Sequence, residues 1–131
     1  MTAEAMYKEI ILDHYRHPEN FGKLEKPDVV HKEANMICGD IVELQLKFDG
    51  QKKISGAKFT GHGCAISQSS TDIMLNNIRG KSIGEIQKLK EDFILKLLGI
   101  EISPARLKCA LLPLAALKNA VTSHLKEVPY S

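Results

Sequence analysis

Apolar residues along this chain recur first at helical spacing, then at every second position, then at helical spacing again. Between residues 3 and 16, Tyr7, Ile10, Ile11, His14 and Tyr15 return at steps of three and four, which predicts an amphipathic helix. His17-Pro18 ends it, because the residue before a proline is pushed out of helical geometry. Glu19 to Asp28, with Gly22 and Pro27, reads as a loop, and Val29 to Met36 as a short strand leading to Cys38. Val42, Leu44, Leu46 and Phe48 then alternate with Glu43, Gln45 and Lys47, the clearest strand in the chain, one face buried and one wet. Asp49-Gly50 turns the chain, and Lys52 to Thr60 returns beside it. The alternation slips between Ile54 and Ala57, where Gly56 marks a bulge.

After Gly61-His62-Gly63 the helical period resumes through Ile66, Ile73, Met74 and Ile78 and ends near Gly80. The run Ser67-Gln68-Ser69-Ser70-Thr71 is poor in helix formers, but its small side chains suit close packing. Ser82-Ile83-Gly84-Glu85 is a capping box that opens a further helix. Phe93, Ile94, Leu97 and Leu98 continue helical packing until Gly99 stops it. Ser103-Pro104 starts a last helix carrying Leu107, Leu111, Leu114, Leu117 and Val121. Pro113 should kink or restart it near Cys109, since its ring clashes with that residue's carbonyl. These elements add up to an α+β fold: a small, three-stranded antiparallel sheet covered by about five helices, expected as one domain over residues 1–131.

Composition narrows the class without choosing a function. Apolar and charged fractions of 44% and 26% are ordinary for a globular domain. A net charge of +2 with dispersed Lys and Arg, few aromatics and no Trp argues against nucleic acid as a partner. No apolar run approaches the ~20 residues of a membrane span. The opening Met1-Thr2-Ala3-Glu4 carries no secretory pattern, and three widely spaced cysteines suit a reducing compartment, so a cytoplasmic location is expected.

Those cysteines carry the candidate chemistry. Cys38, Cys64 and Cys109 sit among small, turn-forming or polar neighbours: Cys38-Gly39-Asp40, Gly61-His62-Gly63-Cys64 and Arg106-Leu107-Lys108-Cys109. Cys38 follows a strand, Cys64 opens a helix and Cys109 lies in the first turns of another, so all three can converge at one end of the sheet. With Asp40 they make a tetrahedral set for zinc or iron. Yet there is no Cys-x-x-Cys pair, and three separate buried thiols account for the spacing equally well. Lys108 and His62 are candidate neighbours of the site, Lys108 as a cation that favours the thiolate of Cys109. A hydrolytic zinc enzyme is disfavoured, because no Glu lies near any cysteine to act as a base.

The chain also resembles a known family, the U-type iron–sulfur cluster assembly scaffolds of the IscU and SufU branches. Residues 7–22 (Tyr-Lys-Glu-Ile-Ile-Leu-Asp-His-Tyr-Arg-His-Pro-Glu-Asn-Phe-Gly) are similar to that family's opening signature. Cys38-Gly39-Asp40, Gly63-Cys64-Ala65-Ile66-Ser67 and residues 104–110 (Pro-Ala-Arg-Leu-Lys-Cys-Ala) match its later ones. The resemblance implies Cys38, Asp40, Cys64 and Cys109 as ligands of iron, zinc or a transient [2Fe-2S] cluster. It implies a cysteine desulfurase as sulfur donor, Cys109 or Cys38 as the persulfide acceptor, and apo iron–sulfur proteins as recipients. A non-enzymatic scaffold is the leading expectation; the alternative is a SufU-like, zinc-dependent sulfurtransferase. IscU proteins carry His where this chain has Lys108, and Leu-Pro-Pro-Val-Lys where it has Ile102-Ser103-Pro104-Ala105-Arg106, both SufU-like features. The short link from Leu98 to Ser103 is instead IscU-like, so the sequence mixes the branches.

Overall fold

A computed structural model describes residues 2–36 and 39–127, with side chains through Lys126. In chain order the elements are α1 (Ala3–Arg16), β1 (Val29–Asn35), β2 (Asp40–Phe48), β3 (Ile54–His62), α2 (Ala65–Ile78), α3 (Ile83–Gln87), α4 (Glu91–Leu98) and α5 (Pro104–Glu127). The strands form one antiparallel sheet in the order β1-β2-β3. Among the described residues the expected α+β architecture of three strands and five helices is therefore present.

Alternation in β2 sets the core. Val42, Leu44 and Leu46 point to the helices, opposite Gly61, Phe59 and Ala57 of β3. Met74, Leu75 and Ile78 of α2 and Leu117, Ala120 and Val121 of α5 complete that layer, all buried. Each large side chain removed from water contributes roughly 1.5–3 kcal/mol. The slip predicted near Gly56 is real: Lys47 faces Gly56 while Phe48 faces Ile54, leaving Ser55 as the extra residue. α2 lies close to α5 because its small side chains permit it. Ser70 Oγ donates across to Ala110 O at 2.7 Å, and Thr71 Oγ1 turns back on Ser67 O at 2.7 Å. The capping box at Ser82 and Glu85 forms as expected.

Two expectations need adjustment. Of the kink or restart expected at Pro113, the restart does not occur: α5 runs as one helix from Pro104 to Glu127 through a buried Pro113. And α1 is not held mainly by an apolar face: of its apolar residues Ile11 is buried, whereas Tyr7, Ile10 and Tyr15 are exposed by 38–45%.

A buried carboxylate supplies the missing attachment. Asp72 of α2 accepts from His14 Nδ1 at 2.5 Å, from the Glu19 and Asn20 backbone N–H groups at 3.1 and 2.8 Å, and from Asn20 Nδ2 at 2.9 Å. The Asn20 side chain is itself clamped, accepting from Arg79 Nη2 at 2.5 Å. The segment read as loop thus includes a short extension of the sheet: Phe59 N–H donates to Asn20 O and Gly22 N–H to Phe59 O. Among the described residues no helix is long and apolar enough to cross a membrane.

Candidate metal centre

The site lies where β2 begins, β3 ends and two helices start. Asp40 opens β2 just after Gly39, whose φ of 74° places it in the left-handed region that favours glycine. β3 can approach β2 closely here because Gly61 lacks a Cβ; one would stand 2.1 Å from Ile41 O. That approach brings the backbone N–H of Cys64 to Asp40 Oδ1 at 3.1 Å. Asp40 is buried, and among the described residues its second oxygen, Oδ2, has no hydrogen-bond partner. A buried carboxylate oxygen without a donor is costly, so the chemistry of this atom calls for a cation.

Cys64 is the N-cap of α2, at the positive end of the helix dipole, and its sulfur accepts from Ser67 N–H at 3.5 Å. Burial pushes this thiol up. Hydrogen bonds from Ser67 N–H, the Cys109 side chain and Ile66 N–H outweigh that and hold it below the usual thiol value. Cys109, only 1% exposed, sits within the first two turns of α5. A carboxylate oxygen of Asp40, Cys64 Sγ and Cys109 Sγ all lie within 4.8 Å of one another. Donors held about 2.0–2.3 Å from a tetrahedral metal sit roughly 3.3–3.8 Å apart, so this trio closes on an ion with small side-chain rotations.

Two sulfurs and one oxygen thus lie together, the grouping that the spacing left open against three separate thiols. Cys38, the fourth expected ligand, lies outside the described residues. Lys108 is exposed, and His62, exposed at the end of β3, is not among the converging donors. A cation that does reach the thiols is Arg106. Its guanidinium is held above its ordinary value by a hydrogen bond to Cys64 and by the charges of Cys64 and Cys109. The signal for it was present, since a residue three before Cys109 on a helix lies one turn back on the same face.

The sequence and the fold that joins these donors match known proteins. Residues 6–129 match the model of the NifU-like N terminal domain. This chain belongs to that family. Within it, the chain is 37% identical to the iron–sulfur cluster assembly enzyme IscU of Drosophila melanogaster, over 92% of this chain and 79% of that protein. It is 35% identical to the zinc-dependent sulfurtransferase SufU of Bacillus subtilis, over 90% of each. A crystal structure from Fervidobacterium islandicum AW-1, named as a candidate cluster assembly scaffold of the SUF system, superposes with a TM-score of 0.72. It shares 34% identity and covers 92% of this chain and 99% of its own. For a NifU-like domain, then, the two branches whose features mix in the sequence are both at hand as relatives of comparable similarity.

Proposed function

We propose that this NifU-like domain acts in iron–sulfur cluster assembly by taking sulfur from a cysteine desulfurase and holding iron, or a [2Fe-2S] cluster, for transfer to apo-proteins. The observation that carries this reading is the convergence of a carboxylate oxygen of Asp40 with two thiol sulfurs, the buried Asp40 Oδ2 having no hydrogen-bond partner among the described residues; such a donor set suits iron or zinc. Cys38, two residues before Asp40, is the fourth donor in the proposal. Three thiolates and a carboxylate grip a cluster less tightly than four thiolates, which suits cargo that must leave.

Each residue then has a task. Helix α2 and the hydrogen bonds to its N-cap favour Cys64 as thiolate, the form that binds metal. Arg106 places positive charge where anionic sulfur collects. In sulfur uptake, a thiolate of this chain attacks the outer sulfur of the donor's persulfide. A new S–S bond forms, the donor's S–S bond breaks, and the donor leaves as thiolate. Cys38 and Cys109 are the candidate acceptors; Cys109 is buried, so it needs a local opening to be reached.

The SufU-like reading is favoured by a different observation, an exposed Lys108 at the position before Cys109 where IscU proteins carry a histidine, together with the similarity to the zinc-dependent SufU. Here zinc is resident and the cysteines relay persulfide sulfur without building a cluster. Protein prepared without oxygen and incubated with desulfurase, cysteine and iron separates the two. Stoichiometric iron and sulfide with visible cluster absorption supports the scaffold. Retained zinc with no cluster supports the relay, and binding of neither metal overturns both.

A further inference from the structure

The Gly61-His62-Gly63 turn carries two glycines, and they do different work. At Gly61, an added Cβ would meet backbone, Ile41 O at 2.1 Å, and φ is +147°; this glycine is needed by the fold. At Gly63 the backbone is outside the left-handed region, so an alanine is not strained there. What its Cβ would meet are two side-chain ends: Asp40 Oδ1 at 2.6 Å, with Asp40 Cγ at 2.9 Å, and Ser67 Oγ at 2.6 Å. The Asp40 carboxylate therefore occupies the volume that any other residue at 63 would fill.

We infer that Gly63 is a positioning residue for the metal centre. Its missing side chain lets the Asp40 carboxylate settle with Oδ1 on Cys64 N–H and a carboxylate oxygen within 4.8 Å of the Cys64 and Cys109 sulfurs, which leaves Oδ2 to act as a single-oxygen ligand. This rests on the reading of Asp40 as a ligand. Ser67 closes the other side: its buried hydroxyl donates to Cys64 O at 3.1 Å, so yielding costs it that hydrogen bond. A methyl group at 63 displaces the carboxylate by the few tenths of an ångström to an ångström that a metal–ligand bond does not tolerate, while leaving the backbone in place. Outer residues that orient a ligand typically affect metal affinity 10–100-fold.

The test is zinc affinity of the metal-stripped chain, measured by competition with a chromophoric chelator, for the unsubstituted protein, Gly63→Ala, Asp40→Ala and the double variant. Visible spectra of the Co(II)-loaded forms and thermal unfolding of the metal-free forms accompany it. The expected result is about a 10–100-fold weaker affinity for Gly63→Ala, a Co(II) spectrum shifted toward that of Asp40→Ala, and no further loss when Gly63→Ala is added to Asp40→Ala. Metal-free Gly63→Ala should unfold within a few degrees of the unsubstituted chain. Unchanged affinity in Gly63→Ala, with a clear loss in Asp40→Ala, overturns the inference alone. So does a double variant in which both losses multiply, or a collapse of metal-free stability, since the overlap would then reach beyond the ligand. No zinc binding by the unsubstituted chain, or none lost in Asp40→Ala, overturns the ligand assignment itself and this inference with it.

Discussion

Asp72→Ala tests whether the N-terminal signature is held by one carboxylate. Four donors converge on Asp72, a residue with no solvent exposure: His14 Nδ1, Glu19 N–H, Asn20 N–H and Asn20 Nδ2. Truncation leaves them unequally harmed. Asn20 Nδ2 keeps Asn76 Oδ1 and Asp72 O, at 2.9 and 3.1 Å, but Asn20 N–H is buried and loses its acceptor. One buried, unsatisfied donor costs about 1–3 kcal/mol. Breaking the close carboxylate–imidazole contact, and leaving space behind it, brings the total to about 3–5 kcal/mol. At this chain length 1 kcal/mol shifts Tm by roughly 3 °C, so a fall of about 10–15 °C is expected for the metal-free protein by circular dichroism. Asp72→Asn, which keeps the volume and one oxygen, should lose about half as much. His14→Ala and Asp72→Ala should be non-additive in a double-mutant cycle, because each removes the same contact. A fall below about 3 °C for Asp72→Ala would refute the reasoning.

Gly99 closes α4 at φ 66°, with a Cβ there standing 2.4 Å from the Tyr7 ring. Gly99→Ala should destabilise by about 1–3 kcal/mol, and by less in a Tyr7→Ala background; an equal loss in both means the ring is not the obstacle. Ser82→Ala removes the capping box and should cost about 1 kcal/mol in chemical denaturation, so an unchanged midpoint counts against the cap. Glu33 is held below the usual carboxylate value: burial raises it, but hydrogen bonds from Asn119 and His31 and the charge of His31 outweigh burial. A depressed folded value makes this stabilisation complete above the unfolded value and lost as pH falls through the folded one. The Tm gap between the unsubstituted chain and Glu33→Gln should therefore narrow on acidification below about pH 4.3, and a gap that widens there contradicts the assignment. In the metal-free protein iodoacetamide should modify the half-buried Cys64 before Cys109, which peptide mass spectrometry would reveal; the reverse order would place Cys109 nearer the surface.

Much of this molecule is written in local pattern. Alternation at Val42, Leu44 and Leu46 determined both a strand and which face it buries, because side chains on a strand alternate strictly. The capping box at Ser82 and the glycine stop at Gly99 are equally local, each satisfying backbone groups within a few residues. The chemistry of Asp40, Cys64 and Cys109 was legible from residue type and from resemblance, but nothing in their spacing required them to meet. That was decided by β3 pressing against β2 at Gly61 and by α2 and α5 packing closely enough to face their first turns together. Tertiary structure also brought Arg106 to the thiols, since helix phase, not adjacency in sequence, selects which side chain reaches a neighbouring sulfur. It gave α1 its anchor as well: an apolar period predicts a helix, yet a single buried aspartate 58 residues after His14 is what fastens it. Contacts between distant residues depend on how whole elements dock, and short-range periodicity carries no record of that docking.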